Sequence, residues 1–579
     1  MAAEFPVTLP SIARVSPTDY MNDPGKEADV LHNNLADEVE ALAAAVGVTG
    51  SVVPGTIEAR ISALDNRVDA AENIKYDDVF ILIGQSNADG RGYSGDQIPS
   101  APMVFMLDKD ETFRVATEPL GVTGPEWVDN IPATVTPGAP GYSFGVVMGK
   151  SIASLTSIRS LLVPCAIGST AFKHWIRPAI ADDMTTLYGA MTARAKKSKV
   201  VDRQPVVCFF GFESNAIDST ETLSSGAVGL SRYVAAQTAL YGRLSVDFPS
   251  MPLLYAQLSA SNSATIATRH RLTGHVQGLL ESTSGAVEPV DAPLTPGVSY
   301  NTNATNTVTV LSSRSFLMVG DGTPSLGYGY TGLTSGRKYC IEIAISGTGL
   351  LKITTSGADI LTGLEALSPP SYYPVTFTAG ATGSLVFYRN SVGQATNLQV
   401  DILSIVEIAD YPLPRAHMVV THDVPRNPAP DDIHVSTEGQ IEVGRRFALA
   451  YAEHVLKVPG IDGTGPRLVS VTSTAATTTK VKFTQQIAAA KSGESNYSDG
   501  TNSLFLVYDG GTAKAVSTVE IDPADNTAVI ITHASCAGVR VVTYGDRDGQ
   551  DATWRKGVVY NTTTPLPLPA PMFGPVVAQ

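Results

Sequence analysis

The sequence predicts an α/β protein: a doubly wound, mostly parallel sheet with an inserted β-sandwich, a C-terminal β domain and a short N-terminal helical stalk. Three observations predict it. Short, continuous apolar runs alternate with stretches of helical period between residues 75 and 285, the pattern of strands covered on both faces. From 286 to 412 the helical period disappears, and alternating β runs follow one another between Gly, Ser and Thr turns. The strand-and-helix alternation then resumes over 413–458. The module is therefore inserted in the sheet domain, not appended to it.

Each element has its own signal. Residues 1–27 carry Pro6, Pro10, Pro17 and Pro24 without a sustained period, as an extended arm would. Over 28–74, Leu35, Val39, Leu42 and Val46, then Ile57, Ile61, Leu64, Val68 and Ala71, form an a/d seam. Each run is about two heptads, too short to stand alone in water, so a self-associating stalk is expected. Buried strands are expected at Asp78–Ile83, Ser160–Gly168, Pro205–Gly211, Met251–Leu258 and His417–Val424. Helices are expected around 143–156, 184–197, 228–247, 264–280 and 436–456. Within the insert, strands are expected at Thr307–Leu311, Lys338–Ile345, Leu351–Thr355, Val375–Thr378, Leu385–Tyr388 and Leu398–Ile408. Residues 459–579 read as the second β domain, ending in an uncharged Pro-rich tail.

Composition narrows the function. Of 579 residues, 16% are charged, and Gly (51) and Pro (37) are plentiful, as in turn-rich β domains. The formal charge of −15 gives no counterion-release gain on phosphate, so nucleic acid is not an expected partner. No uncharged apolar stretch is long enough to cross a bilayer, and the first residues lack the pattern of a secretory signal. Cys165, Cys208, Cys340 and Cys536 have no metal-ligand spacing and read as small buried hydrophobes. Neither metal nor cofactor is called for.

The chemistry concentrates where the first buried strand runs into ILIGQSNADGRG, residues 81–92. A serine in such a turn lies where an open α/β sheet presents its reactive groups. It is not the G-x-S-x-G elbow. A serine hydroxyl needs a base at neutral pH. His434, in PAPDDIHVSTEGQ before the last helix, lies at the same edge, and Asp431 precedes it by three residues. That spacing lets the carboxylate accept the imidazole Nδ1–H and leaves Nε2 for Ser86. Asp432 is the expected N-cap of the following helix.

These residues resemble the SGNH (GDSL-like) serine hydrolases, and most closely their sialate O-acetylesterase-like carbohydrate esterases. The resemblance lies in Gly84-Gln85-Ser86-Asn87 with Gly90-Arg91-Gly92, Gly168 after the second strand, Glu213-Ser214-Asn215 after the third, and Asp431-x-x-His434. It implies a flavodoxin-like sheet over 75–285 and 413–458. Ser86 would be the nucleophile, His434 the base and Asp431 its orienter. Ser86, Gly168 and Asn215 would form the oxyanion hole. Gln85, Asn87, Arg91, Glu213, His174 and Trp175 are expected to line the substrate, with Glu213 as a hydrogen-bond acceptor. The third block departs from the family: Phe210-Gly211-Phe212-Glu213 stands where His-Gln-Gly-Glu is usual.

The arm and heptads further resemble bacteriophage tail fibres and tailspikes. This implies a homotrimer attached to the virion by its N-terminus and acting on acetylated polysaccharide at the bacterial surface. The insert is expected to bind sugar or to shape the site; Tyr328, Tyr330, Tyr372 and Tyr373 are its candidate stacking rings, with sandwich packing as their other reading. A spike that adheres to glycan without catalysis is the alternative.

Overall fold

The computed structural model describes residues 76–92, 102–108, 111–118, 120, 141–180, 182–198, 204–211, 237, 240–244, 246–258, 294–300, 305–320, 326–365, 371–389, 396–408, 415–427, 433–488, 504–509, 512–538, 540–545, 558–562 and 567–579. The expected arm, the stalk and the helix at 264–280 lie outside these residues.

The chain enters a buried strand β1 (Asp78–Gly84), then a single helical turn α1 (Ser86–Asp89). There follow β2 (Val104–Leu107), β3 (Phe113–Val115), helix α2 (Gly145–Thr156), β4 (Ser160–Pro164), α3 (Leu187–Lys197), β5 (Val206–Phe210) and β6 (Leu253–Ala256). The unbroken apolar composition of β1 has a direct cause. Val79, Ile81 and Ile83 enter one hydrophobic core, and Phe80 and Leu82 enter another on the opposite face. Between two dry faces a polar side chain needs a buried partner, as Asp78 at the start of β1 has in the Tyr451 hydroxyl.

The chain then leaves this sheet and builds β7 (Thr295–Tyr300), β8 (Thr307–Ser312), β9 (Ser315–Gly320), β10 (Gly327–Thr331), β11 (Lys338–Thr348), β12 (Leu350–Thr355), β13 (Ala358–Glu365), β14 (Ser371–Thr378), β15 (Leu385–Arg389) and β16 (Thr396–Ile408). They form two five-stranded antiparallel sheets, ordered β13-β12-β15-β10-β7 and β14-β11-β16-β9-β8. One hydrophobic core joins them, and it contains Tyr328 and Tyr330, 3% and 0% exposed. These two rings are core packing and are not available to a sugar. Side chains of Tyr372 and Tyr373 lie outside those described.

Strand β17 (Ala416–Val419) returns to the first sheet and pairs in parallel with β6. The sheet order is β17-β6-β5-β1-β4-β2-β3, parallel throughout except for the β2–β3 pair. Without β2 and β3, successive strands fall in the order second, first, third, fourth, fifth. The chain switches sides of the sheet at β1, so a crevice opens at the carboxyl end of that strand. Helix α4 (Thr437–Ala450) packs on α2, with Phe144 and Phe447 stacked at 4.7 Å. One π-helical turn, Tyr451–Val455, continues it.

The final domain contains β18 (Leu468–Ala475), β19 (Thr478–Phe483), β20 (Ile487–Ala488), β21 (Phe505–Asp509), β22 (Thr512–Lys514), β23 (Val516–Asp522), β24 (Asp525–His533), β25 (Arg540–Tyr544), β26 (Tyr560–Asn561) and β27 (Phe573–Val577). Its larger sheets are β18-β19-β24-β23 and β22-β21-β25-β27. The Pro-rich end is not a loose tail: β27 completes a sheet, and Leu568, Ala570 and Met572 are buried. Cys165, Cys208 and Cys536 are buried free thiols.

Candidate active site

The turn after β1 is set by one glycine. Gly84 has φ 144°, and a Cβ there would stand 1.9 Å from the carbonyl oxygen of Phe210 on β5. The chain can therefore pass close to β5 and turn sharply into α1. This places Ser86 at the carboxyl end of the central strand, 6% exposed. As the first residue of a helical turn, its N–H has no intrahelical acceptor. Among the described residues the Ser86 hydroxyl has no hydrogen-bond partner.

His434 reaches the same rim on a folded loop. The Asn427 N–H donates to the His434 carbonyl (2.9 Å), and Arg426 Nη1 donates to the Ile433 carbonyl (2.7 Å). Ser436 N–H donates to Pro425 O at 3.0 Å, closing the loop. The Ser436 hydroxyl also accepts from Gly439 N–H (3.2 Å), so Ser436, not the expected Asp432, caps α4. Three bonds then fasten this loop to the serine turn. Val435 N–H donates to Asn87 Oδ1 at 2.8 Å, Gln440 Nε2 to Asn87 O at 3.0 Å, and Asn427 Nδ2 to Arg91 O at 2.9 Å. Asn87 follows Ser86 and Val435 follows His434. The two segments, almost 350 residues apart in sequence, meet through immediate neighbours.

The other expected site residues divide. Asn87 is 2% exposed and its side chain is a clamp for Val435, not a substrate contact. Trp175 is wholly buried in the core beside α3 and offers no face to a ligand. His174 is part-exposed, and its Nδ1 accepts the Ala171 N–H at 3.0 Å, which puts the proton of a neutral ring on Nε2. Gln85 is buried next to Ser86. Arg91 Nη1 bonds Asp89 Oδ2 at 2.9 Å and the Gly90 carbonyl at 2.6 Å. Gly168 reaches the site, its backbone close enough to the Asp89 carboxylate to favour the anion slightly. Asp431, Glu213 and Asn215 lie outside the described residues.

Asp89 was not anticipated. It lies three residues after Ser86 on α1, 7% exposed. Burial pushes its carboxyl up to about 6, against the opposing pull of Arg91 and the Gly168 backbone. The sequence signal was available: a carboxylate two residues from an arginine in a Gly/Asn turn must find its partner there when that turn is buried. Asn427 was also missed, because between Pro425 and Pro428 it reads as loop punctuation. Among the described residues no group of three His, Cys, Asp or Glu side chains is arranged to hold a metal ion.

Residues 76–292 match the family described as carbohydrate esterase, sialic acid-specific acetylesterase. The matched stretch, which carries β1 through β6, is that of a carbohydrate acetylesterase of SGNH type. Solved structures similar to the chain include a protein from Arabidopsis thaliana, 24% identical, covering 34% of this chain and 80% of that one, with a TM-score of 0.28. A carbohydrate acetylesterase from Xanthomonas citri is 14% identical, covering 86% of this chain and 80% of its own, with a TM-score of 0.42. A family 4 carbohydrate-binding module is 15% identical over 18% of this chain and 77% of its own, with a TM-score of 0.15. No curated protein matches the chain.

The acetylesterase domain does not end at its last helix. Asp423, beyond β17, accepts from Arg446 of α4 (Nη2 to Oδ2, 2.7 Å) and from the Tyr560 hydroxyl of the final domain (2.8 Å). Arg446 also donates to Glu442 Oε1 (2.9 Å) and the Val420 carbonyl (2.7 Å). Burial alone would raise the Asp423 carboxyl, but the Arg446 charge and these hydrogen bonds hold it well below the usual carboxylate range. His422 Nε2 meets the Ala570 carbonyl at 2.8 Å, and burial holds its imidazole below the ordinary value. Gln257 bonds the Met572 backbone in both directions at 3.3 Å. The segment leading into the His434 loop is thus fixed from two domains.

Proposed function

We propose that the acetylesterase domain removes O-acetyl groups from a bacterial surface polysaccharide by a serine mechanism. Ser86 Oγ attacks the acetyl carbonyl as His434 takes its proton, with Asp431 holding the imidazole tautomer. The C–O bond to the sugar breaks, His434 returns the proton to the sugar oxygen, and an acetyl-enzyme remains. Water deprotonated by His434 then releases acetate. The N–H of Ser86 is a donor to the developing oxyanion. The support is the Asn87 clamp, which joins the neighbour of the hydroxyl to the neighbour of the imidazole. Loss of acetyl methyl signal from capsule or O-antigen preparations, followed by proton NMR, tests the reading. Ser86→Ala and His434→Ala are each expected to lower the rate about a thousandfold or more. Equal acetate release by Ser86→Ala and wild type overturns it.

We further propose that the chain works as a phage tail protein, trimeric through residues 28–74 and attached to the virion through its N-terminus. The heptad seam supports this. Solution mass tests it: a 61 kDa species would count against the stalk, and a mass near three times that is expected.

A further inference from the structure

The inserted sandwich has an outer sheet face whose side chains do not follow the pattern of its neighbours. Pairing across four strands aligns Lys352 on β12, Tyr388 on β15, Gly327 on β10 and Tyr300 on β7 in a single row. Alternation sends Tyr328, Tyr330 and Phe387 into the core, so this row faces outward. The middle of the row has no side chain. A Cβ at Gly327 would stand 2.5 Å from the Tyr388 ring, and one at Gly329 would stand 3.0 Å from the Tyr300 ring. Both tyrosines therefore lean over the glycines, bringing their ring centroids to 5.9 Å with a 48° tilt. The glycines beneath are buried, the two rings are part-exposed, and neither phenol hydroxyl has a hydrogen-bond partner among the described residues.

Two aromatic rings laid along a sheet over a glycine floor present broad apolar faces with polar rims. A pyranose has the complementary form, an apolar C–H face edged by hydroxyls, and phenol hydroxyls can bond those edges. Lys352 stands beside Tyr388 at the end of the row. The same chain carries an acetylesterase domain for carbohydrate, which identifies the occupant as its polymer. We propose that Tyr300 and Tyr388, over Gly327 and Gly329 with Lys352 at the margin, form a glycan-stacking platform that holds the O-acetylated polysaccharide while the esterase domain works on it. The choice of polymer rests on the proposed function; the platform itself does not.

The test uses full-length protein carrying Ser86→Ala, so that the polymer is not consumed. Affinity electrophoresis is run through O-acetylated polysialic acid, acetylated mannan and a capsule preparation that loses acetyl signal to the wild type. Retardation by at least one polymer is expected. Tyr300→Ala with Tyr388→Ala should weaken it about tenfold or more. Because bare glycines could unsettle the sheet, Tyr300→Leu with Tyr388→Leu is run beside it. Leucine covers the floor without offering a flat ring, and should bind as poorly with an unchanged melting curve. Binding by the leucine variant equal to that of its parent overturns the platform, leaving the tyrosines as covers for glycine. No retardation in any polymer overturns it as well. Tyrosine-dependent binding without acetate release by the wild type supports the platform and rejects the esterase reading of the substrate.

Discussion

Asn87 bears on catalysis without touching the acetyl group. Its carboxamide oxygen accepts the N–H of Val435 and its carbonyl accepts from Gln440. Asn87→Ala leaves a buried N–H unsatisfied, at a cost of about 1–3 kcal/mol. The fold should survive while the His434 loop loosens, so kcat is expected to fall more than KM rises, measured on a soluble acetyl ester. Asp89 makes a prediction of opposite character. Its folded pKa of about 6 lies above the ordinary 3.8, so the folded state holds the extra proton. The stability this gives is full below about pH 3.8 and is lost as pH rises through 6. Asp89→Asn removes that titration. The difference between variant and wild-type melting curves should change by on the order of 1–3 kcal/mol between pH 4 and 7, in favour of the variant at the upper end. An unchanged difference across that range would reject burial as the cause.

At the scale of the element, the turn from β1 into α1 decides whether Ser86 is presented at all. Gly84→Ala forces a side chain onto the Phe210 carbonyl at a backbone angle unsuited to it. About 3 kcal/mol or more of destabilisation is expected, by denaturant titration. Much of this level was legible in the sequence. Strands with two dry faces announce themselves as unbroken apolar runs, and β1, β4, β5, β6 and β17 were placed from that signal. Strands β7 and β10 were not. TPGVSY and GYGYT read as turns, because glycine in a strand is informative only once its cross-strand neighbours are known. The same limit applied at the site. Ser86, His434 and Asp431 were singled out from motif and spacing, the last of them outside the described residues, whereas Asn427, Gln440 and the burial of Asp89 depend on which loops meet. Trp175 failed for the converse reason: an aromatic after a strand looks like a cleft residue until the packing of α3 shows otherwise.

Across the whole molecule, the final β domain is joined to the acetylesterase by buried polar groups and not by a linker alone. Tyr560→Phe deletes one hydroxyl from the Asp423–Arg446 cluster, and about 1–3 kcal/mol should be lost. Truncation after residue 458 removes the Tyr560, Ala570 and Met572 contacts together. The truncated chain should melt at lower temperature and lose acetate release, whereas a beads-on-a-string arrangement would leave both unchanged.

The position of β17 has a consequence for how the chain comes into being. Strand β6 is made first, and the partner that shields its open edge emerges about 160 residues later, after the entire sandwich. Until then a hydrophobic strand edge with unpaired amides lies open beside the ribosome. The intervening module must complete itself first and bring its two ends near each other, or the nascent hydrolase remains open to clumping and to chaperones. Substitutions that slow assembly of the insert should therefore lower the yield of active protein without weakening what finally matures.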